Sequence, residues 1–343
     1  MRHISDFFRR NERWLTPLVL LGGFVIDNLT LRRADLLIEN LLLAGYFLAL
    51  LGALLVWHKL ESRQQKTVKV AEFQSIVFLV IQFIFGGLFS ALTVFYIKSA
   101  SVWASWPFLL LLFAGMISTE YFKRHFSQFL LQIGTLYLLL FTYLIVVVPL
   151  LVRQISWWVF ILSGLVSLGV IYGYLRLFKR VVPSLFANGL DKIKAMILGI
   201  FILMNAFYFL NVIPPIPLAL RDDGVYKSVI RNDTGYVFAE FDRRFSWRTL
   251  KKEYVVPAGS PVYFYSSVFA PVRFEQVIVH EWQRKNGKGD WVKVSSVSFP
   301  VYGGSDIGYR GYTVSQQVTP GEWKVLVKTR GGQTLGGETF VVR

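Results

Sequence analysis

Apolar runs long enough to cross a bilayer fill this chain up to about Leu220, and none follows. A helix on the surface of a soluble domain keeps a polar face, whereas about 20 apolar residues in a row need hydrocarbon around them. Seven candidate spans can be read: Trp14–Leu31, Leu36–Trp57, Phe73–Ile97, Val102–Thr119, Phe126–Val152, Ile155–Leu175 and Ala195–Val212. Five hold no charged residue, while the first carries Asp27 and the second Glu39. Trp14, Trp57, Trp103, Trp106, Trp157 and Trp158 stand at span ends, where amphipathic rings favour the headgroup layer. Charged residues are 17% of the chain, against about 25% in soluble domains, so water alone cannot dissolve it.

The first run has a basic start (Arg9, Arg10, Arg13), as a signal peptide would, but no small-x-small cleavage site follows it, and it reads as an uncleaved span. Loop charges then predict orientation. The N-terminal tail, Lys59–Lys69, Lys123–Arg124 and Arg176–Lys194 together hold fifteen Lys/Arg; the alternate loops hold four, Arg32, Arg33, Lys98 and Arg153. By the positive-inside rule the N-terminus is cytoplasmic and the C-terminal part lies outside, in a bacterial inner (cytoplasmic) membrane protein with a periplasmic or extracellular tail.

From Arg221 the composition shifts to eighteen Lys/Arg and twelve Asp/Glu. Pro214-Pro215-Ile216-Pro217 marks the break, since proline cannot continue a helix. Alternating β-branched and aromatic runs predict strands near 254–256, 261–269, 274–284, 291–299, 309–317, 322–329 and 334–342, separated by turn residues such as Asn286-Gly287 and Pro320-Gly321. The expected organisation is a helical membrane domain over 1–213, a linker and membrane-proximal segment over 214–253, and an all-β, immunoglobulin-like sandwich over 254–343. No cysteine is present, so Trp282, Trp291 and Trp323 are expected to fill the core where a disulfide would otherwise sit. Thiolate metal sites, iron–sulfur clusters and thiol chemistry are excluded on the same ground.

Several short motifs carry a resemblance. Val279-His280-Glu281-Trp282, Tyr309-Arg310-Gly311-Tyr312, Pro320-Gly321-Glu322-Trp323-Lys324-Val325 and the closing Leu335–Val342 run, with Gly23–Leu31 and Lys98-Ser99-Ala100-Ser101 in the apolar part, are similar to the bacterial domain-of-unknown-function 2914 family. The resemblance implies a multi-span region followed by a C-terminal β-domain. It implies no reaction, ligand or partner.

Enzyme signatures are missing. The four histidines are scattered, and no phosphate loop, nucleophile elbow or dinucleotide fingerprint occurs. His280 and Glu281 are adjacent on a strand and point to opposite faces, so they cannot act as a pair. No cofactor and no metal is expected. Nucleic acid is not expected as a partner either: fifteen cations belong to the basic loops, and the tail's net +6 forms no stripe. The lipid bilayer is a partner, and an anionic lipid or an envelope protein is the further candidate.

One polar cluster stands out beside the apolar runs: Asp27, Arg32, Arg33, Asp35, Glu39, Lys98 and Ser99. Ionisable groups at membrane depth are costly and face a bundle interior or a cavity. The cluster is either a set of ion pairs such as Asp27–Arg32 and Glu39–Lys98, or an anionic-ligand site in which Arg32, Arg33 and Lys98 hold phosphate or carboxylate. In the tail, Tyr263, Phe264, Tyr265, Tyr302, Tyr309 and Tyr312 form an aromatic surplus; alternation sends half to the core and leaves half for stacking on a sugar ring, a membrane or a partner. Arg243–Arg248 reads as a basic-aromatic anchor segment. The function expected is a non-enzymatic envelope protein whose bundle anchors an exported sandwich for partner or ligand binding. The alternative is a transporter or membrane enzyme handling a lipid-linked or anionic amphiphile.

Overall fold

The computed structural model describes residues 25, 27, 31, 35–62, 67–99, 102–121, 129–186, 189–232, 235–246, 251–271, 274–304, 308–316 and 318–343. Two compact units are present. One comprises Met1–Lys98, Trp106–Leu151 and Trp157–Val212; the other comprises Ser99–Ser105, Val152–Ser156 and Ile213–Arg343.

The helices are α1 (Leu37–Glu61), α2 (Val68–Ser99), α3 (Val102–Tyr121), α4 (Phe129–Val152), α5 (Trp157–Val181) and α6 (Leu190–Phe209), with a short 3-10 turn at Pro183–Phe186. Five of them, α1, α2, α4, α5 and α6, are long and apolar enough to cross a membrane. Among the described residues five spans are supported, not the seven expected. The first, Trp14–Leu31, lies almost wholly outside the described residues. The fourth corresponds to α3, Val102–Tyr121, whose described side chains form the shorter apolar stretch Ser105–Ile117.

Within this unit α2 and α4 are central, with 61% of their apolar windows buried, whereas α6 buries 17% and is the most peripheral. Ile81, Phe85, Leu88 and Leu92 of α2 and Ile133, Leu136 and Leu139 of α4 are all enclosed. Hydrophobic burial cannot hold helices together in lipid, so polar contacts count for more. Three tyrosine hydroxyls supply them. Tyr143 donates to the Asn40 carbonyl at 2.8 Å, Tyr174 to the Leu51 carbonyl at 3.0 Å and Tyr96 to the Thr142 carbonyl at 3.0 Å. Those bonds tie α4 and α5 to α1, and α2 to α4. The buried His58 ring sits 2.8 Å through Nε2 from Gln132 Oε1 and is boxed in by Trp57, Phe129 and Phe178.

Among the described residues the second unit contains ten strands: β1 (Ala219–Asn232), β2 (Gly235–Glu240), β3 (Arg243–Ser246), β4 (Lys251–Val256), β5 (Val262–Phe269), β6 (Glu275–Lys285), β7 (Trp291–Tyr302), β8 (Tyr309–Ser315), β9 (Gly321–Thr329) and β10 (Thr334–Val342). They form a four-stranded sheet, β2-β1-β5-β8, and a six-stranded sheet, β3-β4-β10-β9-β6-β7. All pairings are antiparallel except β10 with β4. Strands β1 to β3 occupy residues inside the stretch expected to be linker. Arg221, Asp222 and Asp223 obscure the apolar alternation of β1, and a register shift between Tyr226 and Ser228 breaks its period.

The inner faces of the two sheets meet around Trp282, which is 1% exposed and contacts Phe264 and Phe340 edge-on. Trp323 stacks on Phe340 and is also buried. Trp291 does not join them. It lies on the outer face of edge strand β7, with the Lys324 ammonium 4.6 Å and the Lys285 ammonium 5.8 Å from its ring centre. An edge position leaves no facing strand to bury it, and cation–π contacts take the place of core packing.

Candidate functional site

The membrane-depth cluster is only partly assembled among the described residues. Asp27 accepts a hydrogen bond from Ser90 Oγ, a buried hydroxyl on α2. Lys98, exposed at the end of α2, donates to the Leu31 carbonyl at 2.5 Å. Glu39 is buried on the first turn of α1, beside Asn40, whose Nδ2 donates to the Leu36 carbonyl at 2.9 Å. Asp35 is half-buried just before α1, and Ser99 is buried at the end of α2. Arg32 and Arg33 lie outside the described residues. What the structure adds is a partner absent from the sequence-based set: Ser90 takes the Asp27 carboxylate.

In the β-domain the chemistry-bearing side chains form two groups, one enclosed and one outward. The enclosed group crosses the space between the sheets. His280 Nε2 of β6 is 2.8 Å from Ser266 Oγ of β5, its Nδ1 is 3.0 Å from Thr313 Oγ1 of β8, and Trp282 Nε1 donates to the same Thr313 oxygen at 3.2 Å. A serine, an imidazole and a hydroxyl in line resemble a nucleophile and its base. However, His280 is 0% exposed, Ser266 is also fully buried, and burial pulls the imidazole down to about 3. No substrate reaches this chain of groups, and a neutral ring that satisfies two hydroxyls is a structural clamp between sheets. Glu281 leaves the opposite face and pairs with Lys328 at 2.6 Å, so the two neighbours act separately.

The outward group lies on the free face of the four-stranded sheet. Alternation along β5 sends Phe264 and Ser266 inward and Tyr263 and Tyr265 outward. Register then aligns Gly224, Tyr265 and Tyr312 across three strands, and Tyr226 beside Tyr263. Strand β2 adds Tyr236 and Phe238. The rings touch one another throughout: Tyr226 with Phe238 at 4.5 Å, Phe238 with Tyr265 at 4.8 Å, Tyr236 with Tyr265 at 5.5 Å and Tyr263 with Tyr312 at 5.9 Å between centroids. Gly224 makes room for this layer. A Cβ there would come within 2.7 Å of the Tyr226 hydroxyl, so the Tyr226 ring lies back over the glycine. Arg310 borders the layer, its guanidinium 5.4 Å from the Tyr236 ring centre, and Asp222 stands on the same face through the shared register partner Ser267.

Half of this layer is foreseen by the aromatic surplus in the sequence. Tyr263, Tyr265 and Tyr312 do face outward, whereas Phe264 belongs to the core and Tyr302 and Tyr309 pack near Phe299 at the other end. Tyr226, Tyr236 and Phe238 are missed because their strands fall in the presumed linker. Among the described residues no group of three or more His, Cys, Asp or Glu side chains could hold a metal ion.

A helical region with five membrane-length apolar helices, followed by a two-sheet β-domain bearing a tyrosine layer on one outer face, defines the class. Residues 275–342, which run from β6 to β10, match the family model described as "Protein of unknown function (DUF2914)". No curated protein matches the chain. Among solved structures, an immunoglobulin-like protein from Pseudomonas aeruginosa is 14% identical over 37% of this chain and 92% of its own, with a TM-score of 0.22. A β-glucosidase from Listeria innocua is 10% identical over 35% of this chain, with a TM-score of 0.20, and the match spans only 16% of the glucosidase. The DNA glycosylase AlkC from Pseudomonas fluorescens is 11% identical over 82% of this chain and 84% of its own, with a TM-score of 0.24. With every score well under 0.5, the description of the fold rests on the strand order itself.

Proposed function

We propose that this protein is a non-enzymatic envelope protein in which the helical region anchors an exported, immunoglobulin-like β-domain, and that the tyrosine layer is the recognition surface for a carbohydrate polymer. The observation that carries the reading is the aromatic layer on the outer face of the four-stranded sheet, where buried Tyr226 and Tyr265 support half-buried Tyr236, Phe238 and Tyr263 and exposed Tyr312, with Arg310 and Asp222 at its border. Flat rings offer apolar area at low entropic cost, and sugar rings present C–H faces that stack on them. The charged border supplies partners for hydroxyls. In the full-length protein in neutral detergent, retention on insoluble peptidoglycan sacculi is the measurement. Tyr236→Ala combined with Tyr312→Ala is expected to lower the retained fraction about tenfold, as loss of an interface anchor does. Absent retention of the wild type, or equal retention of the double variant, would end this reading.

The proposed placement in a bacterial inner membrane with the β-domain outside is supported by α5 and α6. Arg176–Lys194 concentrates five cations at the adjoining ends of the two helices, and the chain runs on from the far end of α6 into the β-domain. The chain contains no cysteine, so single reporters are clean. In intact cells Asn286→Cys is expected to react with a membrane-impermeant maleimide and Gln65→Cys is not. The opposite labelling pattern would invert the orientation.

A further inference from the structure

Between α5 and α6 runs an open groove of about 530 Å³, lined by Leu168, Gly169, Tyr172, Leu175, Ile197 and Phe201, with Lys194 at one end. The two helices are antiparallel neighbours, so Leu175 and Lys194 lie at the end near their connection while Leu168 and Phe201 lie about two turns deeper. That separation is roughly 10 Å, which is most of one leaflet's hydrocarbon depth. Gly169 leaves the wall low: a Cβ there would meet nothing within 4 Å. Tyr172 and Leu198 of the lining are more than half exposed, and α6 is the most peripheral of the five long helices.

The shallow end of this groove is cationic. Lys194 lines it, and the Arg176 guanidinium lies 5.3 Å from the centre of the Tyr172 ring that forms its wall. Lys179, Arg180 and Lys192 belong to the same end of the helices, against one carboxylate, Asp191. Asp191 is 3.4 Å from the Lys194 ammonium, but both are largely exposed, so this pair leaves the lysine free to serve another anion. An apolar trough that ends in two cations is complementary to one amphiphile: an acyl chain below and a phosphate above. We infer that the α5–α6 groove is a binding site for an anionic phospholipid, with one acyl chain along Gly169 and Ile197 and the headgroup phosphate on Lys194 and Arg176.

The site differs from both the tyrosine layer and the Asp27–Lys98 cluster, and it does not depend on either. The test is native mass spectrometry of the full-length protein in neutral detergent, with phosphatidylglycerol and phosphatidylcholine of identical acyl chains added in turn. One phosphatidylglycerol is expected to stay bound at collision energies that strip phosphatidylcholine, a preference of about tenfold or more given two headgroup cations. Lys194→Gln with Arg176→Gln should erase the preference and leave equal, weak retention of both lipids. Gly169→Leu fills the trough and should lower retention of both while the melting temperature stays within about 2 °C, because its side chain projects into open space. Inorganic phosphate at millimolar concentration should not displace the lipid, since the acyl chain supplies most of the contact. Equal retention of the two lipids by the wild type, displacement by free phosphate, or a lipid-free dimer whose association Gly169→Leu abolishes would each overturn the assignment; the last would mean a second copy occupies the groove.

Discussion

Trp282→Ala is expected to destabilise the β-domain by about 3–5 kcal/mol, a large part of what a domain of this size has. The indole is 1% exposed, fills the gap between Phe264 of one sheet and Phe340 of the other, and donates to Thr313 across the sheets. Removal leaves a cavity that rigid strand backbones cannot close, and it strips one donor from Thr313. Trp282→Phe keeps most of the volume and should cost about 1–2 kcal/mol, the part owed to the smaller ring and the lost N–H. Urea titration of the full-length protein in detergent, followed by the β-sheet circular dichroism signal, separates the two. If the alanine variant unfolds at the wild-type urea concentration, Trp282 is not the centre of the core.

Trp282 also shows what can be read from a sequence like this one. Burial alternates along β6, with Gln276, Ile278, His280 and Trp282 on the inner face, but hydropathy does not, since Val277 and Val279 take the other face and only the β-branched run marks the strand. Although the expected number of spans was seven, the five membrane-length helices were legible for another reason, since uninterrupted apolar runs of that length have few alternative structures. Strands β1 and β2 were not. Their charged residues and one register shift conceal the period, and with them went Tyr226, Tyr236 and Phe238, half of the tyrosine layer. The Ser266–His280–Thr313 clamp could not be read either, because its members are 14 and 33 residues apart on strands of different sheets. Nothing local signals that an imidazole in a strand will be met by two hydroxyls from the facing sheet. The same holds for Ser90, which takes the Asp27 carboxylate from 63 residues away.

Two buried groups with opposite displacements set the pH response of the β-domain. Asp223 is the register partner of Ser266, so its side chain leaves the face turned toward the other sheet, and its buried Oδ2 meets no hydrogen-bond donor among the described residues. Burial, reinforced by the Glu338 and Asp222 carboxylates, raises it to about 7. The folded state thus holds a proton that the unfolded chain releases near 3.8, and stability falls as pH climbs from about 4 to 7. His280 runs the other way. Burial holds it neutral down to about 3, while the unfolded chain takes up a proton below 6.5, so stability falls as pH drops from 6.5. Between about pH 4 and 6.5 the two slopes, each near 1.4 kcal/mol per pH unit, cancel. The wild-type domain is therefore expected to show a plateau there. Asp223→Asn removes one arm, and its stability should climb with pH across that interval by about 3 kcal/mol. At pH 8 the variant should exceed the wild type by about 2–4 kcal/mol, because the amide needs no ionisation in a poorly solvated place. Unfolding midpoints of both proteins from pH 4.5 to 8 in one detergent check this. A wild type whose stability rises steeply between pH 4.5 and 6.5, or a variant that parallels it at every pH, would show that Asp223 is ionised and hydrated in the folded domain.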